Sequence, residues 1–271
     1  MPQAPAHDYP GGREQKFGKP RGRFNEMAFL VTGASRRIGR QIALSLAGEG
    51  ADIVIHYRNS AEEAVSLCDE LRERGVAAWA LHADFAATDG AKSLVEKAKG
   101  VAGRLDAVIN NASSFMESTL SAITVGEFTD AMQVNAWAPF ELGREFKRLV
   151  GAGAIVNVLD ARIAGHDPRH AGYILSKHAL WIMTRICALE YAPGIRVNAV
   201  APGLILPPSG KGQDYLDVRA DTVPLKRHGD PCDVAEAVVF LLKSNFITGQ
   251  VLYVDGGKHL KEHYDGQDND S

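Results

Sequence analysis

Short apolar runs alternate with longer segments of helical period along most of the chain, and this alternation restricts the fold more than any other feature. The runs are 27-MAFLVTG-33, 51-ADIVIHY-57, 76-VAAWALHA-83, 105-LDAVIN-110, 153-GAIVNVL-159, 195-IRVNAV-200 and 250-QVLYVD-255. Each is rich in Val, Ile, Leu and Ala and poor in charge, as strands buried on both faces are. Between the first two runs, Ile38, Ile42 and Leu46 recur at four-residue spacing and give a helix one apolar stripe, which Gly48 and Gly50 can end. The sequence therefore predicts an α/β fold, one parallel sheet of seven strands with helices on both faces.

A chain of 271 residues suits one domain of this class, since α/β domains commonly run to about 250 residues around a single core. The expected domain spans 27–258. Residues 1–26, rich in Pro, Gly and charge, read as a flexible arm, and 259–271 as a polar tail. The net charge of −3 is small and both signs are dispersed, so the expected partner is a small molecule and not nucleic acid. Cys68, Cys187 and Cys232 are far apart and form no CxxC, which suits reduced thiols in a cytoplasmic protein. No run approaches the roughly 18 apolar residues a membrane span needs, and nothing in the sequence points to export. His166, Asp167 and His170 lie close together without a ligand spacing, so no metal site is expected. The segment 201–230 is long for a connection, and its place after the sixth strand suggests a lid over a ligand.

Immediately after the first strand comes 32-TGASRRIGRQIA-43, a Gly-rich turn entering a helix. Glycine lets the backbone approach a pyrophosphate, and the helix N-terminus supplies free N–H groups and a favourable dipole. Gly33, Ser35, Arg36, Arg37, Ile38 and Gly39 are thus candidate cofactor contacts, in the setting of a Rossmann-type, doubly wound sheet. About twenty residues further on, an NAD-binding protein carries an acid for the ribose 2′-hydroxyl. This chain has His56, Tyr57, Arg58 and Ser60 there, with no carboxylate. Arg58, helped by Arg36 and the Ser60 hydroxyl, suits a 2′-phosphate, so the expected cofactor is NADPH.

Over roughly residues 27–258 the chain resembles the short-chain dehydrogenase/reductase family. Besides the turn, the resemblance rests on Asp84, 110-NNAS-113, Asn135, Tyr173-x-x-x-Lys177, 202-PG-203 and 254-VDGG-257, in family order. It implies that Asp84 and Phe85 border the adenine, that Asn111 and Ala112 line the cofactor cleft, and that Pro202, Gly203 and Leu204 border the nicotinamide. It also implies that Lys177 reaches the nicotinamide ribose, that Asn135 holds a water linking Lys177 to solvent, and that the protein is a homotetramer. Trp181, Ile182, Met183, Ile186 and Leu189 make the helix after Tyr173 apolar on more than one side, which suggests burial beyond the monomer core. The segment 240-FLLKSNFITGQ-250 is slightly shorter than the family's usual connection, which leaves the local geometry there open.

Tyr173 and Lys177, four apart, share one helix face. A free phenol has a pKa of about 10, and a neighbouring ammonium would lower it, making Tyr173 a usable proton donor. Thirteen residues before Tyr173, where most of the family has a carbonyl-binding serine, stands Asp160. An ionised carboxylate only accepts hydrogen bonds and opposes the charge that builds on a reduced carbonyl. A C=N bond is a better match, since a carboxyl group can relay the proton its nitrogen requires. Arg37 replaces the usual middle glycine of the turn, and Ser113 and Phe115 follow the paired asparagines in 110-NNASSF-115. With Asp160 they resemble the pteridine reductase branch, including dihydromonapterin and dihydrofolate reductases. That likeness implies a pterin or folate substrate surrounded by Arg37, Ser113, Phe115, Asp160 and Tyr173, with Phe115 stacking on a flat heterocycle. The alternatives are a carbonyl reductase with an atypical Asp, and an NADPH-binding sensor without catalysis.

Overall fold

The computed structural model describes residues 24–87, 89–208 and 210–261. Seven strands, β1 (Ala28–Val31), β2 (Asp52–Tyr57), β3 (Ala78–His82), β4 (Ala107–Asn110), β5 (Gly153–Val158), β6 (Ile195–Pro202) and β7 (Val251–Val254), form one sheet. Its order is β3-β2-β1-β4-β5-β6-β7 and every pairing is parallel. The doubly wound seven-stranded sheet read from the sequence is the one observed.

Nine helices accompany it among the described residues: α1 (Arg37–Gly48), α2 (Ala61–Glu73), α3 (Gly90–Ala102), α4 (Val125–Met132), α5 (Ala138–Leu149), α6 (Ala171–Glu190), α7 (Asp214–Ala220), α8 (Pro231–Lys243) and α9 (Lys258–Lys261). Alternate strand side chains point to opposite layers. Phe29 and Val31 of β1 and Ile53 and Ile55 of β2 join Ile42, Leu67 and Val238 from α1, α2 and α8. The intervening Leu30, Val54 and Val108 join Leu94 of α3 and Leu142 and Phe146 of α5. Burying one such Leu or Phe is worth about 1.5–3 kcal/mol, so both faces of the sheet drive folding.

The chain winds outward from β1 in one direction and from β4 in the other, so a crevice opens where their carboxyl ends diverge. Two expectations at the edges of the domain change. Phe24, assigned by the sequence to the arm, is buried edge-to-face against Phe29 at 4.9 Å, and its N–H bonds the carbonyl of Glu49. Its apolar ring outweighs the polarity of its neighbours. At the other end His259 stacks on Tyr253 at 4.0 Å and bonds Asp255, so the start of the polar tail belongs to the fold. Residues 1–23 and 262–271 lie outside the described residues. The segment 201–230 is not all loop, because α7 lies within it.

Candidate active site

The Gly-rich turn closes on itself through side chains from two neighbouring strands. Gly33 has a φ of +60°, and a Cβ there would press on the Ala112 backbone. Asn111, just after β4, donates to the carbonyls of Thr32 and Gly33 at 2.9 and 3.0 Å. The Thr32 hydroxyl accepts from the N–H groups of Asn111 and Ala112. His56 of β2 accepts from the Gly33 N–H through Nδ1, which leaves Nε2 to donate to Ala83. Burial lowers its pKa to about 4. Its ring is stacked on the buried Phe85 at 4.4 Å. His56 and Phe85 were expected to touch the cofactor. In the structure His56 has both ring nitrogens bonded within the protein, and Phe85 covers one face of its ring. Asp84 bonds the N–H of Ala86.

The residues present fit a phosphorylated dinucleotide. Ser35 is buried and Ile38 half-buried at the entry to α1, whose first turn carries no acid and whose N-cap, Arg36, makes no capping bond. Its N-terminal dipole is thus open to an anion. Tyr57 is half-buried at the end of β2, and Ser60 precedes α2 without capping it. Arg58 is exposed beside them and has no ion pair among the described residues. Arg36, expected to assist at a 2′-phosphate, is paired with Glu63 of α2. Pro202 ends β6, and at Gly203 a Cβ would run into Asp255, so only glycine lets the chain pass there. Leu204 follows, half-buried, and its carbonyl accepts from Gly229.

Arg37 takes a φ of +55°, a left-handed conformation that suits glycine. It costs a side chain about 1 kcal/mol, and such strain tends to persist where surrounding contacts fix it. The contact here is a 2.7 Å bond from Arg37 Nη2 to the Pro207 carbonyl, which ties the turn to the segment after β6.

Asp160 lies just past β5, and the Tyr173 hydroxyl donates to its Oδ2 at 2.8 Å. Arg162, in the 3-10 turn Ala161–Ala164, grips the same carboxylate with Nε on Oδ1 at 3.1 Å and Nη2 on Oδ2 at 3.0 Å. Its Nη1 bonds Asp167, which also meets His170 Nδ1 at 2.9 Å. Burial, reinforced by the Asp160 charge and opposed by Arg162, holds the Tyr173 phenol well above its usual value. The lowering expected from Lys177 is therefore reversed. The Lys177 ammonium sits 5.8 Å from the Tyr173 ring and donates to the Val158 carbonyl, and burial brings its pKa down to about 8.

Asn135 lies in a π-turn, Gln133–Trp137, between α4 and α5. Its Oδ1 accepts from the Ser113 hydroxyl and the Ser114 N–H, and its Nδ2 donates to the Ser114 carbonyl and the Ser176 hydroxyl. The side chain is therefore fully used, which leaves only the main chain to hold the expected water. Phe115 stacks on His170 at 4.4 Å and meets the Tyr173 ring edge-on at 4.7 Å. The stacking expected with a heterocycle is made by His170 on one face.

The structure thus brings Asp160, Tyr173, Lys177, Asn135, Ser113 and Phe115 together at the carboxyl ends of β4 and β5. Arg37 lies across the crevice. Sequence reasoning missed Arg162 and Ser176, and noted Asp167 only in a cluster judged not to bind metal. An arginine two residues after an acid is too common to single out, so the only signal was its closeness to Asp160.

A family profile described as Enoyl-(Acyl carrier protein) reductase matches residues 33–259. The chain is 34% identical over 239 residues to the 3-oxoacyl-[acyl-carrier-protein] reductase FabG of Staphylococcus epidermidis, covering 85% of this chain and 98% of that protein. It is also similar to crystal structures of FolM alternative dihydrofolate reductase 1 from Brucella canis and Brucella suis, both in complex with NADP. Each is 32% identical and spans 86% of this chain; the matches cover 94% and 95% of those chains, with TM-scores of 0.81 and 0.83.

Proposed function

Because the chain belongs to the short-chain dehydrogenase/reductase family, we propose that it is an NADPH-dependent reductase of a C=N bond in a pterin-type substrate, a dihydropterin or dihydrofolate. The observation that carries this reading is the hydrogen bond from the Tyr173 hydroxyl to the Asp160 carboxylate. Arg58, Ser60 and the open N-terminus of α1 would hold NADPH, which would supply the hydride for the substrate carbon. The substrate nitrogen then takes a proton from the Tyr173 hydroxyl, directly or by way of the Asp160 carboxyl, and solvent restores the phenol. A nitrogen left with the electron pair of a broken C=N bond is more basic than an alkoxide. Even a weakly acidic phenol therefore delivers to it, whereas a carbonyl oxygen would develop its charge against Asp160.

Arg58 and the open N-terminus of α1 support NADPH as the cofactor, and the NADP-bound FolM structures support both cofactor and substrate class. The identity to FabG, together with the Arg162 cation beside Asp160, favours a second reading, reduction of a carbonyl. The test follows NADPH oxidation with dihydrobiopterin, dihydromonapterin and dihydrofolate, in parallel with ketones and a 3-oxoacyl thioester. Turnover of a pterin is expected. Turnover of carbonyl compounds alone would replace the reading with the second one. Tight NADPH binding with no turnover of anything, and no effect of Tyr173→Phe, would make the protein a nucleotide sensor. We further propose a cytoplasmic homotetramer, supported by exposed Ile182, Ile186 and Leu189 along α6. No described helix is long and apolar enough to cross a membrane.

A further inference from the structure

We infer that Arg162 is the positioning residue of this site, its guanidinium fork fixing the Asp160 carboxylate so that it faces the Tyr173 hydroxyl. The inference rests on the reading of Asp160 and Tyr173 as the proton-handling pair. Asp160 Oδ1 accepts from the main-chain N–H and Nε of Arg162, and Oδ2 from Arg162 Nη2 and the Tyr173 hydroxyl. Three of the four hydrogen bonds that orient this carboxylate therefore come from one residue.

Arg162 is itself held from behind. Its Nη1 meets Asp167 at 2.6 Å, and the Asp167 carboxylate is fixed by the Arg169 N–H and by His170 Nδ1. Its guanidinium carbon lies 5.1 Å from the centroid of Phe115 and 5.6 Å from that of Tyr173, so two rings flank it. The donors directed at Asp160 and Asp167 are thereby occupied, and Arg162 acts through Asp160.

A planar fork can hold both carboxylate oxygens at once, whereas an ammonium is a single point of charge. Without the fork, Asp160 would be free to turn away from Tyr173. It would also lose the cation that offsets its charge in a largely buried setting. The titratable groups facing the pair are Tyr173, Asp167, His170 and Lys177.

The test uses the full chain with NADPH and whichever substrate, pterin or ketone, the unaltered protein reduces. Arg162→Met is expected to lower kcat by about 100-fold with the dissociation constant for NADPH unchanged, the pattern of a lost transition-state interaction. Its pH profile should differ from the parent's, because a cation has been removed from beside the proton-handling pair. Arg162→Lys should recover about a tenth of the parent rate or less, since the charge returns without the fork. Added guanidinium ion should partly restore Arg162→Met but not Asp160→Asn. Asp167→Asn should cost about five-fold, and nothing further once Arg162 is gone.

A purely structural role would lower stability and NADPH binding without moving the pH profile or permitting rescue. An Arg162→Met protein with a kcat within about two-fold of the parent and the same pH profile would overturn the inference. Should Arg162→Met not fold, Arg162→Lys with the parent's rate and pH profile would do so as well. Reduction of ketones in place of pterins would refute only the substrate reading, since the effect of Arg162 would still be measured.

Discussion

Glu63 holds the guanidinium of Arg36, one of the two arginines expected to receive a 2′-phosphate. Both side chains are exposed, and such pairs are weak, so Glu63→Gln is expected to tighten NADPH by about five-fold at most and to leave NADH unaffected. Fluorescence titration of both nucleotides measures this; equal tightening of the two would show that Arg36 does not meet the phosphate. At Asp160, replacement by Ser should cost about 100-fold or more in pterin turnover while improving that of ketones. Loss of both activities would mean that the acid is needed for more than the choice of substrate. Lys177 is charged below about pH 8 and neutral above it, burial being the cause. If its ammonium serves the cofactor, kcat/KM should fall as pH rises through about 8, and a flat profile to pH 9 would remove Lys177 from that role.

Elements convert these residues into a site. His56 at the carboxyl end of β2 braces the Gly-rich turn and is buried neutral, with its pKa near 4 against 6.5 when free. The folded state therefore binds fewer protons than the unfolded chain between those values, and stability should fall as pH drops from about 6.5 to 4, by about 3 kcal/mol in all. Urea denaturation at several pH values tests this, and His56→Asn should lose that part of the pH dependence. An unchanged slope in the variant would assign it to other groups. The strands and the Tyr173 helix were legible because periodicity reports burial directly. The π-turn that turns Asn135 toward Ser113 and Ser176 was not, since its residues carry no pattern that separates it from the α-helices on either side. The same holds for α7, a short polar helix in a segment whose Pro and Gly residues read as loop.

Across the whole molecule, the outward side of α6 leaves Leu189 at 82% exposure, with Ile182 and Ile186 about half exposed. A run of large apolar groups on one helix face is costly in water, and in the proposed homotetramer it would be covered. Light scattering should give four copies for the parent, and Ile186→Glu combined with Leu189→Lys should reduce that number. A parent that runs as a monomer at micromolar concentration would remove the proposal. The crevice between the diverging halves of the sheet is a property of this same scale, since it exists only because the chain winds in two directions from β1 and β4.

Spacing along the chain was enough to establish the sheet, its strand number, the Gly-rich turn and the shared helix face of Tyr173 and Lys177. The tertiary structure alone decided the charge setting around them: Arg162 on Asp160, Glu63 on Arg36, and a phenol made less acidic where Lys177 was expected to make it more so. Desolvation and ion pairing depend on which groups meet in space and how little water reaches them. Neither is written in the separation of residues along the chain.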